Sequence, residues 1–190
     1  MKIVALVQAR MGSTRLPNKV MKPINGVPMI ELLLTRLAKA KEIDQIIVAT
    51  SVDERNIPLV EHVRKLGYTC EQGSENDVLD RYVQAAEKHK ADVVVRITGD
   101  CPLVDPDLVD EVICQFKAKH VDYCCNTNPP TYPDGLDIEV FTFKALETHL
   151  TQSTSPPIYA NPVTLKLRTP NIVKIYRHYA GQLMSQLILW

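Results

Sequence analysis

The chain has 190 residues, enough for one compact domain with a sizeable core, and its 45% hydrophobic and 23% charged residues are ordinary for a globular protein. Lys plus Arg (22) balance Asp plus Glu (22), so no overall field draws the molecule to nucleic acid or to an anionic membrane, and any anion binding must be local. The apolar run IVALV at 3–7 is too short for a signal-peptide core, and no stretch approaches the roughly 20 apolar residues of a membrane span. Five cysteines, odd in number and without CxxC spacing, read as reduced thiols of a cytoplasmic protein. The five histidines show no i, i+4 ligand pair, so no zinc site is expected.

Taken in chain order, IVALVQ at 3–8 reads as a buried strand that runs into a glycine-containing loop. Residues 9–27 carry Gly12, Pro17, Pro23, Gly26 and several basic side chains, the composition of a long functional loop. Pro28 opens a helix whose inward face is Met29, Leu33 and Leu37, flanked by Ile30 and Leu34. Ile46 to Ala49 read as a second strand, residues 56–66 as a helix with Ile57, Val60, Val63 and Leu66 inward, and Tyr68 to Cys70 as a short strand. Asn76 is the expected N-cap of a helix that turns Leu79, Tyr82, Val83 and Ala86 toward the core.

Val93 to Ile97 form the clearest buried strand, and Asp105 followed by Pro106 marks the next helix start, with Leu108, Val109, Val112, Ile113 and Phe116 inward. Strand and helix alternate to about residue 126, which requires crossovers and hence a mostly parallel sheet covered on both faces, an α/β architecture. The pattern then loosens: 127–137 and 153–162 are rich in turn residues, 163–177 has room for two short strands, and Met184, Leu187, Ile188 and Trp190 suggest a packed final helix. We therefore expect one domain over 1–190, with a core at 1–126 and a looser, shortened part at 127–190 for sugar binding or oligomerisation.

In parallel sheets ligands sit beyond the carboxyl ends of the strands, which selects the loops at 9–19 and 98–102. The first, within QARMGSTRLPNK, follows Ala9 with Arg10, Gly12, Ser13, Arg15 and Lys19 and holds no acid. Backbone N–H groups, a small residue permitting close approach and permanent cations are what a triphosphate requires. The segment is neither a Walker A loop nor a GxGxxG dinucleotide turn.

RMGSTRLPNK followed by NGVPMI closely resembles the opening motif of the sugar-acid cytidylyltransferase superfamily, which makes CMP-neuraminic acid and CMP-Kdo; the SpsF type of spore coat polysaccharide biosynthesis is the nearest subgroup. IIVATS at 46–51, GSENDVLDRY at 73–82, RITGDCPLVDP at 96–106 and PDGLDIEVF at 133–141 match in the same order. The resemblance implies a Rossmann-like, three-layer αβα nucleotidyltransferase fold of the GT-A-like kind. It implies phosphate contacts from Arg10, Ser13, Arg15 and Lys19, a nucleotide contact from Arg81, and Mg²⁺ held by Asp100 of the GD pair. The implied reaction is attack of a sugar hydroxyl on the α-phosphate of CTP with release of pyrophosphate, Arg10, Lys19 and Asp100 serving the chemistry. Asp137 and Glu139 are candidates to orient the acceptor hydroxyl, and no general base is identifiable.

Two alternatives stay open from the sequence: another nucleotide on the same scaffold, or a nucleotide- or sugar-binding protein without the full metal site. Relatives are often dimers, so a homodimer is the expectation by analogy. The chain stops at Trp190 without the VDTPED-like segment of SpsF relatives, so a second metal carboxylate would come from Asp134, Asp137, Glu139 or Glu147 or be missing, and triphosphate binding is expected to outlast transfer.

Overall fold

The structure is a computed structural model that describes residues 1–13, 16–127, 130, 132–152 and 172–174. Its centre is strand β1 (Ile3–Gln8), whose alternate side chains feed two apolar cores. Ile3, Ala5 and Val7 enter one core; Val4 and Leu6 enter the other. That two-sided burial explains the unbroken apolar run, because a strand covered on both faces has no wet side to keep polar.

Parallel strands flank β1 on both sides: β4 (Gln45–Ser51) on one, β6 (Val93–Thr98) on the other. Among the described residues the sheet has seven strands in the order β5-β4-β1-β6-β8-β7-β9, with β5 at Thr69–Gly73, β7 at Tyr123–Cys125, β8 at Glu139–Thr142 and β9 at Ile172–Lys174. Strand β8 alone runs antiparallel to its neighbours β6 and β7. Helices α1 (Met29–Leu37), α2 (Ile57–Lys65) and α4 (Pro106–Lys119) cover one face, and α3 (Val78–Lys88) and α5 (Phe143–Gln152) the other. The expected three-layer α/β fold with a mostly parallel sheet is therefore present.

Local signals hold in most places. Asp105 caps α4 by accepting a hydrogen bond from the Leu108 N–H at 3.0 Å, and all five residues expected to face inward from that helix are buried. Three details differ. The cap of α3 is Asp77, which accepts from the Asp80 N–H at 2.9 Å; Asn76 lies one position early because Ser74 already holds the Asp77 N–H in a preceding turn. Ile57 is exposed, since a turn of 3-10 helix at Glu54–Asn56 precedes α2 and turns Asn56 inward instead. Finally, residues 9–27 are not loop throughout. Lys19–Met21 form a 3-10 turn, and β2 (Pro23–Ile24) pairs with β3 (Val27–Pro28) around Asn25 and Gly26, both at positive φ. An Asn-Gly pair is the usual occupant of such a two-residue hairpin turn.

In the looser part, α5 and β8 complete the sheet and its second face, and β9 falls within the segment expected to form strands. The final helix expected at Met184–Trp190 lies outside the described residues. The five cysteines are unpaired with one another, four of them buried. No helix among the described residues is long and apolar enough to cross a membrane.

The ends of β1 and β6 are stitched together where the chain leaves both strands. The Gly99 N–H donates to the Gln8 carbonyl at 2.7 Å, and a Cβ on Gly99 would stand 2.6 Å from that oxygen and 2.8 Å from the Ala9 Cβ. Gly99→Ala should therefore destabilise the protein by about 1–3 kcal/mol, the range for overpacking. Urea denaturation reads this directly, and an unchanged midpoint would show that the junction yields without cost.

Candidate active site

A cleft of ≈ 530 Å³ opens at that junction, with Ala9, Arg10, Ser13 and Lys19 on one wall and Thr98, Gly99 and Asp100 on the other. The two loops selected from sequence thus form one crevice, at the point where the connection from β1 (to β4) and that from β6 (to β7) leave toward opposite edges of the sheet.

The first loop is held from beneath. Buried Asn56 accepts from the Met11 N–H at 2.8 Å and donates to the Ser51 hydroxyl at 2.7 Å, while the Met11 carbonyl accepts from the Ser13 and Asn18 N–H groups. Asn18 takes a left-handed conformation (φ 57°) that turns the chain into the Lys19 helix turn. Gly12 has the Arg55 guanidinium beside it: a Cβ there would sit 3.6 Å from Arg55 Nη1. Asp53 orients that guanidinium through hydrogen bonds at 2.9 and 3.0 Å, which pull the Asp53 carboxyl down to about 2. Arg55 and Asn56 were not legible as site residues; they lie in the turn that follows β4, just past the IIVATS motif and outside every matched segment.

Ala9 follows β1 and is buried, while Arg10 is half exposed, its Nη1 lying 3.7 Å from Glu75. Lys19 reaches across the cleft to Asp100, Nζ to Oδ2 3.2 Å. Partial burial would raise the Asp100 pKa, but the hydrogen bond and charge of Lys19, helped by Thr98, outweigh it and hold the carboxyl below its usual range. Arg15 lies outside the described residues. Arg81 stands apart from the cleft walls: it is buried under Gly73, donates to the Ser74 carbonyl at 2.6 Å, and has no partner for its Nε among the described residues. Its charge neighbours are Glu75 and Arg10, so it supports the loop that faces Arg10.

The two acids of GLDIEV part company. Asp137 is half-buried, and desolvation together with Asp134, Glu139 and Asp100 raises its pKa. Glu139 corrects the sequence reading: it is 1% exposed, accepts from the Tyr123 hydroxyl at 2.9 Å, and pairs with Arg96 directly opposite it on β6. A side chain so enclosed serves the framework, not an acceptor hydroxyl. Its partner Arg96 lines the floor of the cleft, a position given no role by the sequence reading. Burial lifts the neighbouring Tyr82 hydroxyl to about 12, so the pair is ringed by phenols that stay neutral.

A mostly parallel α/β sheet with a cation-rich loop facing Asp100 over the carboxyl ends of β1 and β6 is the arrangement of a nucleotidyltransferase-type anion site. The chain belongs to the cytidylyltransferase family, whose model matches residues 4–184. It is 39% identical over 132 residues to the spore coat polysaccharide biosynthesis protein SpsF of Bacillus subtilis, covering 67% of this chain and 55% of that protein. It is 39% identical over 120 residues to the 3-deoxy-manno-octulosonate cytidylyltransferase of Geobacter metallireducens, covering 62% and 46%. The chain thus spans about half the length of these curated relatives. A solved cytidylyltransferase from Leptospira borgpetersenii superposes with a TM-score of 0.87 at 31% identity, covering 94% of this chain and 77% of that one.

Two expectations test the acids. Removing Glu139 takes the opposite charge away from buried Arg96, so Glu139→Ala should cost about 3–5 kcal/mol in urea denaturation, with Glu139→Gln costing less because Tyr123 keeps its acceptor. A small loss in Glu139→Ala would mean that the pair is solvated. For Asp137 the sign is opposite. Its folded pKa lies above the unfolded value, so the charged form opposes folding at neutral pH and the penalty fades as pH falls toward about 4. Asp137→Asn should melt higher than the parent at about pH 7 and match it near pH 4; a variant that melts lower at neutral pH would place Asp137 in a favourable ion pair instead.

Proposed function

We propose that the chain catalyses CTP-dependent cytidylyl transfer to a hydroxyl of a sugar acid or related sugar, giving a CMP-sugar and pyrophosphate for surface polysaccharide synthesis. The crevice between the loops after β1 and β6, with Arg10 and Lys19 facing Asp100, carries this reading. It is supported by family membership, by the names of SpsF and the Kdo cytidylyltransferase, and by the fold of a CMP:2-keto-3-deoxy-manno-octonic acid synthetase complexed with CTP (TM-score 0.71, 18% identity, 92% of this chain and 90% of that one).

Arg10, Ser13, Lys19 and the N–H groups of the first loop take the triphosphate. In transfer the acceptor oxygen bonds to the α-phosphorus while the bond from that phosphorus to the β-phosphate oxygen breaks, and pyrophosphate departs with the electron pair. Positioned cations stabilise the charge that grows on the leaving group, which such displacements need more than covalent catalysis. Asp137, with its raised pKa, is the carboxylate best suited to orient the acceptor hydroxyl and receive its proton.

A divalent cation fits the second wall. Asp100 is half exposed and already attracts a cation, Lys19. Among the described residues no three His, Cys, Asp or Glu side chains converge on a metal. Mg²⁺ does not need that, since it usually takes one or two carboxylates with phosphate oxygens and water. When bound at Asp100 it would supply charge neutralisation for the phosphates.

Calorimetric titration with Mg²⁺ and each of CTP, UTP, GTP and ATP tests the reading, with CTP expected to bind tightest. Arg10→Ala should weaken that binding by about 1–3 kcal/mol, the worth of hydrogen bonds to charged groups. Equal affinity for the four nucleotides would remove the base preference, and an unaffected Arg10→Ala would remove the phosphate loop.

A further inference from the structure

Lys19 and Asp100 have both been given to the ligand, yet in this structure they hold each other. The proposed metal and the proposed phosphate therefore each meet a partner that is already engaged. Nζ lies 3.2 Å from Oδ2, with side chains 35% and 49% exposed. A magnesium ion binds oxygen at about 2.0–2.1 Å, closer than the ammonium now stands, and two cations crowded on one carboxylate repel each other. One must leave.

The lysine is built to be the one that leaves. Its backbone is fixed, because Val20 beside it is buried and the Lys22 carbonyl accepts from the Met29 N–H at 3.0 Å, tying the turn to the start of α1. Its side chain is a flexible four-carbon stem carrying a point charge, which reaches a new anion without moving the chain. The pair it leaves is partly exposed, a class of ion pair that holds weakly. Arg10 is in the same position on the same wall, with Glu75 3.7 Å away, so Arg10 and Lys19 each rest against an acid.

We propose that Lys19 is the resident counter-ion of Asp100, displaced onto the phosphates when a divalent cation takes the carboxylate, so that the site accepts the metal–triphosphate complex as a unit and disfavours free metal and free nucleotide. The inference rests on the reading of the cleft as a triphosphate site with a metal at Asp100. Free metal must break the Lys19–Asp100 pair and gains no phosphate. Free triphosphate must break the same pair to recruit Lys19, and leaves Asp100 facing it as a bare anion. When both arrive the pair is broken once. That shared cost is a coupling between the two ligands, and it is reciprocal by linkage.

Manganese(II) is the probe, titrated calorimetrically into the nucleotide-free full chain, with melting temperatures confirming that every variant folds. Lys19→Met should bind Mn²⁺ about two- to fivefold tighter than the parent, the factor a partly exposed ion pair is worth. It should bind CTP more weakly, and the factor by which Mn²⁺ strengthens CTP binding should shrink. Arg10→Met removes a cation from the same wall without touching Asp100, and should leave Mn²⁺ affinity near the parent value. Equal or weaker Mn²⁺ binding in Lys19→Met overturns the proposal, as does an equal gain in Arg10→Met, which would make the effect one of general charge. Asp100→Asn separates the layers. Loss of Mn²⁺ binding there, with no gain in Lys19→Met, leaves the metal site standing and sinks only the exchange; undiminished Mn²⁺ binding in Asp100→Asn sinks the metal assignment and the exchange together.

Discussion

The hydrogen bond from the Gly99 N–H to the Gln8 carbonyl is the contact on which the site depends. It joins the last residue of one central strand to the first residue past another, and it is possible because position 99 has no side chain to stand between them. The two facing walls of the cleft hang from the ends of that bond: the loop from Ala9 to Lys19 continues from one, Asp100 from the other. The distance between the cationic wall and Asp100 is therefore set by backbone, which is stiff, and not by side chains. Asn56 adds the second point of support through Met11, so the long first loop is pinned at both its root and its turn.

Charge is distributed about this junction by strand. Cations come from the β1 loop and from Arg55 beside Gly12. Acids come from the ends of β6 and the approach to β8: Asp100, Asp134 and Asp137. Between them the buried Arg96–Glu139 pair is neutral as a unit, and it fastens β8 to β6 under the cleft floor. A buried pair of this kind contributes little net stability over an apolar one, but it fixes register strictly, because a one-residue slip would bury two lone charges. On the acid-rich side, burial and the neighbouring carboxylates of Asp134, Glu139 and Asp100 raise the Asp137 pKa.

The parts of this arrangement that follow from short-range rules were legible in the sequence. The apolar runs of β1 and β6, the Asp105 cap and the cation-rich loop each express their physics within about ten residues. The ordered motifs placed Lys19 and Asp100 in one site without saying that they touch. What escaped depends on tertiary register. Glu139 within a strand reads as one charge on a wet face, and only the pairing of β8 with β6 reveals Arg96 opposite it. A signal was nevertheless present: Arg96 interrupts an otherwise apolar strand, VVVRIT, and a charge in a two-sided buried strand requires an opposite partner. The Asn25-Gly26 hairpin was equally readable, and the composition of the surrounding loop hid it. Arg55 and Asn56 carry no local signal, because their roles arise from a turn that meets the loop only after folding.

The reversed strand β8 also constrains how the molecule reaches this state. Strand β7 comes earlier in the chain, yet in the sheet it sits beyond β8 and touches β6 only through it. Emerging from a ribosome, residues 1–98 can assemble β5-β4-β1-β6 by successive crossovers, each new strand adding beside one already present. Strand β7 has no such neighbour when it appears and must wait for Glu139–Thr142 to be wedged in beside Arg96. Until then the β6 edge is open, and Arg96 lacks the carboxylate that will face it across the ladder. The ion pair that holds register in the finished sheet therefore joins residues 43 positions apart, and it can form only when the carboxyl half of the sheet is in place.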